Sequence, residues 1–229
     1  MASGAFSFLY DWFGVNLQMF YWLNGLQAPG WDAAMVAGSR LGSFFNAAWI
    51  FAALLGVQAW HRWTPPGHPA AWLPHQRVVG RWLLSLGLAY GLAAVLVSLL
   101  KWGFDMPRPF MVLPPERMHR LMEPESLHSF PSGHATFAML VAVVFWPAPQ
   151  VRWRGLYRAL LVLGVVWVGL SRVGVGVHFP ADVLAGYLCG LLCGGVARHM
   201  VPPLPAVGVA VEGRGQWAPF TKRHHRRLR

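Results

Sequence analysis

Three short stretches carry most of the chemistry in this chain: KWGFDMPRP from residue 101, FPSGH at 130–134 and SRVGVGVHFPAD at 171–182. Between them they hold the cations Lys101, Arg108 and Arg172, the histidines His134 and His178, and the carboxylate Asp182. A guanidinium meets phosphate oxygens with two parallel hydrogen bonds, so the arginines suit a phosphate. Ser132 and Gly133 stand where a helix would begin, and the free N–H groups of a helix start also favour an anion. Lys101, Arg108, Ser132, Gly133 and Arg172 therefore form a candidate phosphate-binding set. No acidic cluster supplies the oxygen ligands that Mg²⁺ requires, so the cations take the place of a metal and no cofactor is expected.

The histidines add reactivity. His178 and Asp182 lie four residues apart, which on a helix puts them on one face. The carboxylate can then hold one imidazole nitrogen and leave the other free to attack phosphorus, an orienter and a nucleophile. His134 is expected across the phosphate, placed to protonate the departing oxygen. Charge on the equatorial oxygens of the transition state would be met by the cations and the backbone donors.

What could bring three distant fragments together is a bundle in a membrane. Of 229 residues 55% are hydrophobic and only 12% charged, which is too apolar for an ordinary soluble domain. About 20 helical residues cross a hydrocarbon core of about 30 Å. Residues 34–60, 82–101, 133–147, 156–171 and 181–200 are apolar stretches read as five such spans. A sixth candidate lies within residues 1–29, where Asn16, Gln18, Asn24 and Gln27 favour a helix lying in the interface. The expected fold is all-α, a polytopic transmembrane helical bundle of five or six spans forming a single domain over 1–229. The motifs occupy 101–182 and a basic tail occupies 201–229. No basic segment precedes a short apolar core at the start, so a cleaved signal peptide is not expected.

The net charge of +11 does not indicate nucleic acid, because it is distributed over alternate loops. Arg62, Arg77 and Arg81 follow one span, Arg152, Arg154 and Arg158 join two others, and TKRHHRRLR ends the chain. The positive-inside rule assigns these to the cytoplasm and the three motifs to the opposite, periplasmic or extracellular face of a plasma membrane. Trp60, Trp63, Trp82, Trp102, Trp146 and Trp153 fall near span ends, as an interfacial belt does.

Other features read more plainly. Cys189 and Cys193, one turn apart on one helix, do not suit a disulfide. Gly186, Gly190 and Gly194 form a small-residue ridge for packing inside the bundle, or alternatively for a homodimer. His61, His68 and His75 lack metal-site spacing on one helix. His119, His128, Arg117 and Arg120 are expected to be solvated loop residues, and Ser171 bonds backbone or phosphate.

The motifs, K-x6-RP, PSGH and SR-x5-H-x3-D, resemble those of the type 2 phosphatidic acid phosphatase superfamily of integral membrane lipid phosphatases, matched without a substitution. The resemblance implies a helical bundle and metal-independent hydrolysis through a phosphohistidine. It implies Lys101, Arg108, Ser132, Gly133 and Arg172 at the phosphate, His178 as nucleophile, His134 as acid and Asp182 as orienter. The implied partner is a phosphorylated lipid of the bilayer. Bacterial members act on undecaprenyl diphosphate, phosphatidylglycerol phosphate, phosphatidic acid or lipid A, and the compact chain looks most like the undecaprenyl diphosphate group. Transfer of phosphate to another lipid is an alternative. A vanadium-dependent haloperoxidase, a soluble relative with the same motifs, is a remote one.

Overall fold

The computed structural model describes residues 10–64, 73–147 and 153–202, and those residues are helical or irregular with no strand. Among the described residues, seven helices of ten residues or more follow in order: α1 Val15–Asn24, α2 Pro29–Leu41, α3 Asn46–Trp63, α4 Gln76–Phe104, α5 Gly133–Val144, α6 Arg154–Gly174 and α7 Pro180–Met200. Apolar stretches in hydrocarbon resolve as helices because only there can the backbone satisfy its own polar groups. Proline opens α2 and α7, at a position where a missing N–H costs nothing.

The five or six spans expected from hydropathy do not emerge as full-length helices. Among the described residues, α4 with its continuation to Val112, α6 and α7 are long and apolar enough to cross a membrane; α2 and α3 add a fourth span only if taken together across a 60° bend. The apolar stretch at 34–60 breaks because α2 is terminated locally. Gly42 N–H returns to Gly38 O, and the Asn46 amide donates to the carbonyls of Arg40 and Leu41 at 2.8 and 2.9 Å. The stretch at 133–147 yields a helix of 12 residues, about 18 Å long at 1.5 Å per residue.

The N-terminal candidate is shorter still, at 10 residues, and its asparagines point inward. Asn16 and Asn24 are each 2% exposed, and α1 packs on α6 and α7. Asn16 and Asn24 belong to the face docked on the bundle, while Gln18 and Gln27 are exposed. His68, Arg152 and the basic tail beyond residue 202 lie outside the described residues.

α5 runs between α4, α6 and α7, with its most extensive contact along α7. Leu86, Ala89 and Ala93 of α4 meet Phe137, Leu140 and Val144 of α5 and Cys193 and Ala197 of α7 in the main core cluster. The glycine ridge permits the close approach. A Cβ on Gly186 would lie 2.4 Å from Ser132 O, and one on Gly190 2.4 Å from Thr136 O. The ridge is therefore spent on α5, inside the chain. One consequence is that the starts of α5 and α7 are held side by side, where Ser132 N–H donates to Asp182 O at 2.9 Å.

Candidate active site

The SRVGVGVH segment turns on a single glycine. α6 ends at Gly174, and Gly176 then takes φ +78°, a conformation that glycine adopts without a Cβ clash. The reversal returns the N–H groups of Val177 and His178 to Arg172 O at 3.3 and 3.2 Å. A Cβ at 176 would also stand 2.4 Å from His119 O. The linker between arginine and histidine thus sets His178 directly beside the end of α6.

His178 is 2% exposed. Its Nε2 lies 3.2 Å from Arg108 Nη1, and its Nδ1 lies 3.3 Å from Asp182 Oδ2. A guanidinium only donates, so Nε2 carries the lone pair and the ring proton sits on Nδ1, facing the carboxylate. Burial first, then the charges of Arg108, Arg172, Lys101 and His134, holds His178 well below the ordinary histidine range. It is neutral at physiological pH, with its unprotonated nitrogen turned toward an arginine.

Asp182 is fully buried, which a carboxylate tolerates only when well partnered. Oδ1 accepts from Tyr10 Oη at 2.8 Å. Oδ2 accepts from Ser129 Oγ, from Phe179 N–H at 2.9 Å and from His178 Nδ1. The Phe179 bond also caps α7, so one side chain fixes both the helix start and the imidazole.

The cations are pinned by the segment between α4 and α5. Arg108 Nε donates to Ser126 O at 2.6 Å and Nη1 to Val177 O at 2.8 Å, while Lys101 Nζ donates to His128 O at 2.8 Å. Arg172 is 3% exposed and bonds Ser39 Oγ through Nη1. Within this cluster, Arg172 Nε and Ser132 Oγ are buried and have no hydrogen-bond partner among the described residues. A buried polar group left unpaired costs about 1–3 kcal/mol, which phosphate oxygens would offset. His134, in the first turn of α5, is 6% exposed, with Nε2 3.6 Å from Glu125 Oε1.

Lys101, Arg108, Ser132, Gly133, His134, Arg172, His178 and Asp182 therefore gather at one end of the bundle. Sequence reasoning missed Tyr10, Ser129 and Glu125, which touch this set from segments with no recognisable spacing. His119 and His128 lie in the loop before α5, each partly exposed. His119 pairs its backbone N–H and C=O with the Asn24 amide, each at 2.7 Å, and its ring lies 3.5 Å from Asp32. His128 Nδ1 lies 2.7 Å from Asp105 Oδ1.

Residues 82–205, more than half of the chain, match the family described as the PAP2 superfamily. The chain belongs to the PAP2 superfamily. It is similar to an undecaprenyl-diphosphatase of Sulfolobus acidocaldarius, 31% identical over 180 residues that cover 77% of this chain and 74% of that protein. A lipid A 1-phosphatase of Rhizobium etli is 29% identical over 168 residues, 67% of this chain and 65% of that one. Among solved structures, Aquifex aeolicus LpxE superposes with a TM-score of 0.61 at 29% identity, covering 80% of this chain and 94% of that chain. A transmembrane PAP2 type phosphatidylglycerolphosphate phosphatase from Bacillus subtilis shares the fold with a TM-score of 0.60 at 22% identity, covering 82% and 84%. As a PAP2 member the chain is an integral membrane enzyme, a phosphoric ester hydrolase acting on membrane lipids.

Proposed function

We propose that this PAP2 chain hydrolyses the diphosphate of undecaprenyl diphosphate through a phosphohistidine on His178. The observation that carries the reading is the oriented imidazole: Nδ1 is engaged by Asp182, and Nε2 holds its lone pair beside Arg108, whose guanidinium would turn to the phosphate as Nε2 attacks. In the first step Nε2 forms a bond to the terminal phosphorus as the bridging P–O bond breaks, and His134 gives its proton to the departing oxygen. In the second, His134 takes a proton from water, the oxygen attacks phosphorus, and the P–N bond breaks to release inorganic phosphate. Lys101, Arg108, Arg172, Ser132 Oγ and the N–H groups at the start of α5 balance charge on the equatorial oxygens. This stabilisation is electrostatic and asks for no metal.

The site lies on the extracytoplasmic side in this account, with the C-terminus cytoplasmic, because Arg62, Arg77, Arg81, Arg154 and Arg158 mark the opposite end. The similarity to the Sulfolobus undecaprenyl-diphosphatase supports an isoprenoid diphosphate. A lipid A phosphate is the second reading, favoured by the Rhizobium relative.

Phosphate release by purified protein in detergent with EDTA, from undecaprenyl diphosphate, phosphatidylglycerol phosphate, phosphatidic acid and lipid A, tests this beside His178→Ala. The expected result is the highest kcat/KM on the diphosphate, insensitive to EDTA and abolished in the variant. Loss of activity in EDTA would overturn the mechanism, and preference for lipid A would overturn the substrate.

A further inference from the structure

We infer that Tyr10 is a positioning residue for the reaction: its hydroxyl, from outside all three motifs, holds the Asp182 carboxylate in the orientation that His178 needs. The inference rests on the roles proposed for His178 and Asp182. Tyr10 Oη donates to Asp182 Oδ1 at 2.8 Å across 172 positions of sequence. That leaves Oδ2 to face Nδ1, and among the described residues Tyr10 is the donor to the other oxygen of this fully buried carboxylate.

The ring is placed by the two motif segments themselves. It meets Phe130 and Phe179 edge to face, each at 6.1 Å between centroids. Phe130 precedes PSGH and Phe179 follows His178, so one side chain spans both segments and sends its polar end to the carboxylate between them. A second contact from the same N-terminal segment reaches the neighbouring residue, where Asn16 Oδ1 accepts from Ala181 N–H at 3.0 Å. Burial and the charge of Asp182 push the phenol upward, so Tyr10 remains a donor throughout the working pH range.

The predicted consequence is a loss in turnover rather than in binding. Tyr10→Phe keeps the ring and its contacts and removes only the hydroxyl. The expected kcat falls about 10- to 100-fold, the range seen when an outer hydrogen-bond partner of a site residue is lost, with KM within about twofold.

The decisive experiment is a double-mutant cycle on phosphate release with Tyr10→Phe, Asp182→Asn and the pair, alongside 4-aminophenylalanine at position 10, which restores a donor at the same place. If the tyrosine acts through the carboxylate, Tyr10→Phe has no further effect in the Asp182→Asn background, and the amino variant recovers turnover. Multiplicative effects or no recovery would overturn the inference and reduce Tyr10 to a packing residue. An Asp182→Asn variant with wild-type turnover would instead sink the proposed function, so the two failures are distinguishable.

Discussion

Ser129 Oγ donates to Asp182 Oδ2 and lies 3.4 Å from His178 Nδ1, so one buried hydroxyl braces both members of the pair. The serine sits three residues before Ser132 of PSGH and ties the first histidine segment to the second. Ser129→Ala is expected to lower kcat about 10- to 100-fold with little change in KM, by analogy with the loss of other outer hydrogen-bond partners. Steady-state phosphate release on the preferred lipid reads this directly; unchanged turnover would reduce the serine to packing.

The pH dependence of stability follows from His178. Its folded form resists protonation, chiefly through burial and then through the Arg108 guanidinium, whereas the unfolded chain takes up a proton near the ordinary histidine value of about 6.5. The unfolded state then binds more protons below that value, so stability falls as pH drops through it, by up to about 1.4 kcal/mol per pH unit for one group. Thermal unfolding in detergent between about pH 7.5 and 5 should show a shallower decline in His178→Gln than in the wild type. Parallel curves would contradict the buried neutral state.

Gly190→Ala tests the glycine ridge. The added Cβ meets Thr136 O at 2.4 Å and Met139 Cβ at 2.8 Å, so α5 must move away from α7. The expected cost is about 1–3 kcal/mol of stability, as for overpacking elsewhere, read as a lower melting midpoint with the oligomeric state in detergent unchanged. A change of oligomeric state instead would assign the ridge to a dimer.

The site was legible in the sequence to the extent that its residues carry fixed spacings. Ser132 and Gly133 do stand at a helix start, but His178 precedes α7, which begins at Pro180, so the turn at Phe179 rather than a shared helix face brings it to Asp182. Tyr10 and Ser129 were not legible, because each reaches Asp182 through tertiary packing with no periodic signal. Asn16 and Asn24 have a role that hydropathy does not reveal: they satisfy backbone groups of Ala181, His119 and Gly174. Hydropathy likewise reports apolar length and cannot see a helix end such as the one that Asn46 builds after Leu41, so stretches that read as spans need not be single long helices.

The central claim, covalent transfer of phosphorus to His178, is tested most directly by rapid quench with terminally ³²P-labelled undecaprenyl diphosphate and mapping of the labelled peptide. The account predicts an acid-labile, alkali-stable label on His178, formed before free phosphate is released and absent in His178→Ala. Full turnover with no labelled protein at any quench time, or a label on another residue, would contradict it.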